Sequence, residues 1–221
     1  VFSGQNVFVT GGGSGIGLAC ARAFAADGAN VLIMGRNPEK LQAAASELAV
    51  IEGAGEINSY TGDVSSEADV AAAAEKASLN GHLDIAVANA GKGGLSPILV
   101  TETSNWDEIM QTNLNGTFYT IKHAGRWMAQ SGGGAICAIS SIAGVRTHRF
   151  MGSYCVSKAG IDMLVRNSAD ELGVANIRVN SVCPGLVETE LASGLLQTVE
   201  VFNDYLDCMP ISRHGVTEDI G

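Results

Sequence analysis

The chain has 221 residues, of which 46% are hydrophobic and 16% charged, a balance that suits one folded domain and excludes disorder. Its formal charge of −10 argues against nucleic acid or an anionic membrane as main partner, while leaving room for a small anionic ligand in a locally positive pocket. Its apolar runs fall short of a membrane span, no signal peptide is recognisable, and Cys20, Cys137, Cys155, Cys183 and Cys208 have no metal or CxxC spacing, so reduced, mostly buried thiols in a cytoplasmic protein are expected.

Taken in chain order, Asn6–Thr10 reads as a strand and Gly15–Asp27 as a helix with apolar positions at helical spacing. Asn30–Met34 predicts a second strand and Pro38 to about Val50 a second helix, with proline in the first turn where its missing N–H costs little. Glu56–Thr61 predicts a strand, Ser66–Leu79 a helix, and Leu83–Ala88 an apolar run with the length of a buried parallel strand. Asn105–Gln130 reads as one long helix or two, Ala135–Ser140 as a strand, Ser153–Gly173 as a helix and Ile177–Val182 as a strand. Strands alternating with helices of this length imply an α/β fold, a Rossmann-type doubly wound parallel sheet in three layers. Ligands of such a sheet sit beyond the carboxyl ends of its strands.

The segment after the first strand, TGGGSGIG from Thr10 to Gly17, opens a helix. Glycines here let the backbone approach a pyrophosphate that rests on helix N–H groups, with Gly11, Ser14, Gly15, Ile16 and Gly17 as candidate contacts. At the end of the second strand, where a dinucleotide site reads the adenosine ribose, stands Gly35-Arg36-Asn37. A guanidinium pairs with a 2′-phosphate, and with no carboxylate opposing it NADP(H) is favoured over NAD(H); the alternative is a solvated charge at a helix start. Tyr154 and Lys158 lie four apart and share a helix face, so that the ammonium stabilises a phenolate and makes the tyrosine a usable acid or base. Ser141 closes the strand segment AICAISS, where its hydroxyl could polarise a carbonyl that Tyr154 protonates.

TGGGSGIG, Asn89-Ala90-Gly91, Asn113 in QTNLNG, Ser141, YCVSK and Pro184-Gly185 occur in one order and spacing, and on these residues the chain resembles the short-chain dehydrogenase/reductase family along its whole length. The resemblance implies an oxidoreductase that moves hydride between NADP(H) and a carbonyl or secondary alcohol. It implies a tetrad of Asn113, Ser141, Tyr154 and Lys158. Tyr154 is then the acid/base, Ser141 positions the substrate oxygen, Lys158 also holds the nicotinamide ribose, and Asn113 supports a water in a proton relay. It further implies that Asp63 and Val64 flank the adenine, that Asn89, Ala90 and Gly91 border the cofactor, and that Pro184, Gly185, Val187 and Thr189 line the nicotinamide side. Asp63 and Thr189 can equally be helix caps. Family members continue through a last helix and strand, so the sheet is expected to lack its final strand here.

A homo-oligomer, tetramer or dimer, is expected from the same resemblance, pairing the helices in Asn105–Gln130 and Ser153–Gly173 through apolar residues such as Ile121, Trp127 and Met163. The expected partner is a small molecule with an apolar part, and neither nucleic acid nor membrane. Gly93–Ser96, Ile142–Gly152 and a lid over residues 186–209 form the walls, with Leu186, Leu191, Leu195, Leu196 and Phe202 making the lid apolar or packing its own core. Arg146, His148 and Arg149 read as exposed loop charges. Two rival functions use the same fold: a dinucleotide-binding sensor without catalysis, and epimerisation or dehydration of a nucleotide sugar, for which the chain has no room for the usual substrate domain.

Overall fold

The computed structural model describes residues 1–193, 205–206, 209–211 and 213–221. Six strands, β1 (Asn6–Thr10), β2 (Asn30–Gly35), β3 (Ile57–Thr61), β4 (Ile85–Ala88), β5 (Gly134–Ile139) and β6 (Ile177–Val182), form one sheet in the order β3-β2-β1-β4-β5-β6. Every pairing is parallel, with Asn6 opposite Asn30 and Ala88 opposite Ala138. This is the doubly wound order whose direction of winding reverses between β1 and β4, and the reversal leaves a crevice beyond the carboxyl ends of those strands.

The central strands are apolar on both faces because both faces are covered. Phe8, Leu32, Met34, Ala86, Ala88, Ile136 and Ala138 point to a core shared with α3 (Glu67–Ala77), α5 (Gly116–Gln130) and α6 (Gly152–Leu172). Their alternates Val7, Val9, Val31, Ile33, Ile85 and Val87 pack beneath α1 (Gly15–Ala26) and α2 (Pro38–Ala49). The period-2 alternation of the pleat thus divides one apolar run between two cores. Burying these side chains contributes on the order of 25 cal/mol per Å² of apolar surface removed from water.

Local chemistry sets the helix ends. Asn37 accepts a hydrogen bond from the Lys40 N–H at 2.9 Å with Pro38 next in line, and Ser66 accepts one from the Asp69 N–H at 3.3 Å. Ser66 is therefore the cap of α3. Asp63 lies outside that helix, bonding instead to the N–H of Ser65 at 2.9 Å. The stretch expected as one helix or two is α4 (Thr103–Met110) and α5 joined by a single π-helical turn, Gln111–Asn115. Ile121, expected on an outer face, is 4% exposed and packs into the core, and Trp127 is half-buried against it; Met163 on α6 does face outward, as do Phe118 and Val156. The thiols are also less uniformly buried than expected. Cys20 is buried, Cys137 and Cys155 half-buried and Cys183 exposed, all four free, while Cys208 lies outside the described residues. No helix among the described residues is long and apolar enough to cross a membrane.

Candidate active site

The glycine loop between β1 and α1 is folded by contacts that a side chain would block. A Cβ on Gly11, which holds φ +67°, would lie 2.8 Å from Asn89 Nδ2 and 2.9 Å from Ala90 Cα, and one on Gly17 would collide with the Gly11 carbonyl and Asn89 Nδ2. Asn89 spends its amide on this loop, donating to the carbonyls of Thr10 (3.0 Å) and Gly11 (3.2 Å), while Thr10 Oγ1 accepts from the N–H groups of Asn89 and Ala90. Ser14 stands at the N-cap of α1 in an extended conformation and makes no side-chain cap bond, and no acidic residue lies in the first turn. The N–H groups of Gly15, Ile16 and Gly17 and the positive end of the helix dipole are thus left to an anion. The first turns of α2 and α3, by contrast, carry Glu39 and Glu67 with Asp69.

Arg36 follows β2 with its side chain 67% exposed. Contrary to the expectation that no carboxylate opposes it, Asp63 reaches to 3.9 Å from the guanidinium across the β2–β3 edge. A pair this exposed is weak, worth about 0–1 kcal/mol, and a phosphate can displace it. Val64 is buried against Gly116, so any contribution of this residue to an adenine pocket comes from its backbone.

Beyond β5, three of the four tetrad candidates converge. Ser141 is 9% exposed, and its Oγ accepts from the Ala143 N–H at 3.1 Å, which leaves the hydroxyl proton available. The Tyr154 phenol, in the first turn of α6, is near enough for this hydroxyl to influence its titration. Burial pushes the Tyr154 phenol above its ordinary pKa, and the Ser141 hydroxyl opposes the rise. Lys158 is 4% exposed, with Nζ 5.6 Å from the Tyr154 ring centre and 2.7 Å from the Ile139 carbonyl at the end of β5. Burial pulls its ammonium down from 10.5 to about 8, against the pull of Asp162 and Cys183. Asn113 is fully buried in the π-turn, and its side chain is consumed: it accepts from the Lys92 N–H (2.7 Å) and donates to the Lys92 carbonyl (2.9 Å) and Ser157 Oγ (3.0 Å). The amide therefore ties the segment after Gly91 to α6, while Gly91 itself lies beside Lys158 Nζ.

The segment after β6 lies across the glycine loop. Pro184 accepts from the Ile142 N–H at 3.0 Å, Gly185 is exposed, and Leu186 and Val187 are buried beside Gly215, which pairs with Val187. Thr189 approaches Gly15 and caps the turn 190–192 through the Ala192 N–H at 3.3 Å, so the cap reading is correct. Glu190 forms an ion pair with Lys40 of α2 at 2.7 Å. Leu191 is exposed and reaches Gly93 on the opposite wall; Leu195, Leu196 and Phe202 lie outside the described residues. The two other walls join where Ser96 bridges to Met151, and they present exposed Leu95, Val145 and Phe150, with Ile98 and Leu99 exposed in the turn just beyond the first wall. Arg146 and Arg149 are exposed on the same loop, as expected, with Arg149 over the Phe150 ring.

Tyr205 falls within the expected lid, with no role of its own expected there. Its ring stacks on His148 at 5.9 Å, and its phenol is close enough to Tyr154 and Cys155 for their charges to act on it. No motif marks it, and it stands far along the chain from both partners. Among the described residues there is no cluster of side chains suited to a metal ion.

A parallel sheet with an anion-ready glycine loop at the switch point and a Ser-Tyr-Lys group beyond β5 defines a Rossmann-type oxidoreductase. The sequence profile of the short chain dehydrogenase family matches residues 5–200. The chain is 36% identical over 214 residues to galactitol 2-dehydrogenase (L-tagatose-forming) of Cereibacter sphaeroides, covering 96% of this chain and 83% of that one. It is 34% identical over 218 residues to 7alpha-hydroxysteroid dehydrogenase of Escherichia coli, covering 98% and 84%. A short-chain type dehydrogenase/reductase from Mycobacterium ulcerans superposes with a TM-score of 0.95 at 40% identity, covering 99% of this chain and 81% of that structure. The chain belongs to the short-chain dehydrogenase/reductase family.

Gly17→Ala is expected to force Asn89 and the Gly11 carbonyl apart and to cost about 1–3 kcal/mol of stability, read by urea denaturation. Unchanged stability would mean that the loop relaxes freely.

Proposed function

We propose that the chain reduces a carbonyl, or oxidises the matching secondary alcohol, with NADP(H), and that Tyr154 is the acid/base. The observation that carries this reading is the group of Ser141, Tyr154 and Lys158 beyond β5, in which a buried ammonium lies beside a half-buried phenol and the lysine bonds to a backbone carbonyl. The bound dinucleotide supplies or takes up the hydride. The glycine loop fits its pyrophosphate, since the close packing that Gly11 and Gly17 permit against Asn89 shapes the turn and the α1 terminus carries no acid and no side-chain cap.

Tyr154 gives its proton to the substrate oxygen in reduction and takes it back in oxidation. Ser141 holds that oxygen with the hydroxyl proton that its own bonds leave available. Lys158 lowers the cost of the phenolate as long as it is charged, which holds below about pH 8. Its second task is the nicotinamide ribose, and Gly91 beside Nζ leaves room for it. Asn113 acts as a positioning residue with its side chain and offers the π-turn backbone to a relay water. Gly11, Ser14, Gly15, Ile16 and Gly17 bind phosphate, Arg36 binds the 2′-phosphate, Asp63 and Val64 border the adenine, and Asn89, Ala90, Gly91, Pro184, Gly185, Val187 and Thr189 enclose the rest.

The segment from 186 to 209 acts as a lid, held at its start by the Lys40–Glu190 pair. Apolar walls at Leu95, Val145 and Phe150, with Ile98 and Leu99 just beyond, suit a substrate with a hydrophobic portion. Exposed Phe118, Val156 and Met163 on α5 and α6 support pairing of these helices between copies, in a tetramer or dimer.

Tyr154→Phe is expected to retain cofactor binding and lower turnover about a hundredfold or more, measured as NADPH oxidation against a carbonyl panel. Retention of a tenth of the turnover would remove the acid/base role. Light scattering at micromolar concentration is expected to give an oligomer mass, and a monomer would refute the helix pairing. Arg36 should favour NADPH by about ten- to a hundredfold in kcat/KM, the range of one charge-assisted hydrogen bond. Gly35→Asp combined with Arg36→Ala should invert that ratio. An unchanged ratio would show that Arg36 does not read the phosphate.

A further inference from the structure

We propose that Asp162 is a positioning residue for Lys158, a buried carboxylate one helical turn further along α6 that keeps the ammonium charged inside the site. The inference rests on the reading of Lys158 as part of the catalytic group. Residues 154, 158 and 162 recur every four positions and form one stripe of the helix. Asp162 is 7% exposed and has no role in the proton transfer.

Its hydrogen bonding is incomplete. Oδ1 accepts from Ser181 Oγ in β6 at 3.3 Å and from Cys183 Sγ just past its end at 3.7 Å. Oδ2 has no partner and is the one such buried side-chain nitrogen or oxygen among the described residues. The turn after Ser141 packs directly on it, because a Cβ on Gly144 would lie 2.5 Å from Oδ2 and 3.1 Å from the Lys158 carbonyl. That turn, Ile142–Gly144, brings no titratable group, and neither does β5 at this end. The titratable or charged groups on this stripe and beside it are Lys158 and, further back, Tyr154 on α6, the exposed Arg166 one turn onward, and Cys183 just past β6. A carboxylate with an unsatisfied oxygen is expensive to bury unless a cation compensates it; Asp162 forms no ion pair within 4 Å among the described residues, and the buried cation of its own stripe, one turn back, is Lys158.

The effect on the lysine has a definite sign. Burial alone drives an ammonium toward the neutral form, and Asp162 is the foremost of the groups that oppose it. With its inflection at about 8, Lys158 is mostly charged at neutral pH. Without the carboxylate the inflection falls, and the charge that supports the Tyr154 phenolate is lost within the working range. A purely structural Asp162, tying α6 to β6 through Ser181, would not have this consequence.

Two substitutions separate the roles. Asp162→Asn keeps the shape and an acceptor for Ser181 but removes the charge; Ser181→Ala removes the hydrogen bond and keeps the charge. The probe is the 13Cε resonance of Lys158 in the cofactor-free chain, assigned by its loss in Lys158→Arg and followed against pH. Asp162→Asn should lower the inflection by about one pH unit or more, and Ser181→Ala should leave it in place. The alkaline limb of kcat/KM should move down by the same interval in Asp162→Asn alone. An unmoved inflection in Asp162→Asn, or an equal shift in Ser181→Ala, overturns the proposal. Should Asp162→Asn not fold, the 13Cγ resonance of Asp162 in the wild-type chain is followed through the lysine inflection. A response there supports the coupling and a flat trace overturns it. Because these titrations contain neither cofactor nor substrate, their failure is distinct from that of the catalytic reading, which Tyr154→Phe tests.

Discussion

At the carboxyl edge of a parallel sheet every strand runs out of partners at once. The last backbone groups of β1, β4 and β5 face the same crevice, and each must be satisfied by something other than a neighbouring strand. Thr10 and Asn89 do this for β1 and β4, and Lys158 does it for β5 through the Ile139 carbonyl. The side chains that close the sheet are therefore the ones that assemble the site. Stability and chemistry are drawn from one set of bonds, and the segment after Gly91 is held by the same logic through the buried amide of Asn113.

Electrostatics is organised against the background of the whole molecule. A chain with ten more acidic than basic residues keeps carboxylates out of the first turn of α1 while placing them in the first turns of α2 and α3. The positive potential at the glycine loop is thus backbone potential, insensitive to the protonation of any side chain. Lys158 contrasts with it, because its charge depends on burial and on what is buried with it. The phosphate end and the reactive end of one crevice are positive for different physical reasons.

Much of this was legible in the residues. β1 and β6 have the bounds that their apolar runs predict, and the remaining strands differ by a residue or two at their ends. The glycine loop, Ser141, Tyr154 and Lys158 were visible because each is constrained by local geometry. What escaped depends on contacts distant in sequence. Arg36 meets Asp63 only because β2 and β3 are adjacent, Tyr205 meets His148 only after the chain has crossed the site, and Ile121 turns inward because α5 packs on the sheet. Asp162 stood at a helical spacing from Lys158, but its burial and its unpartnered oxygen are tertiary facts.

The π-turn at Gln111–Asn115 behaves as an inserted residue frozen into a helix. It shifts the phase of everything beyond it by about 100°, the angle of one residue in a regular helix. α4 and α5 each meet their neighbours in phase only because the extra residue separates them. Removing one residue between 111 and 115 would restore an unbroken α-helix and a better local hydrogen-bond ladder, yet it would swing the face of α4 away from α6 and carry Asn113 off Lys92 and Ser157. The helix is thus protected in its reading frame: a change in length at this turn breaks contacts on both sides of it at once.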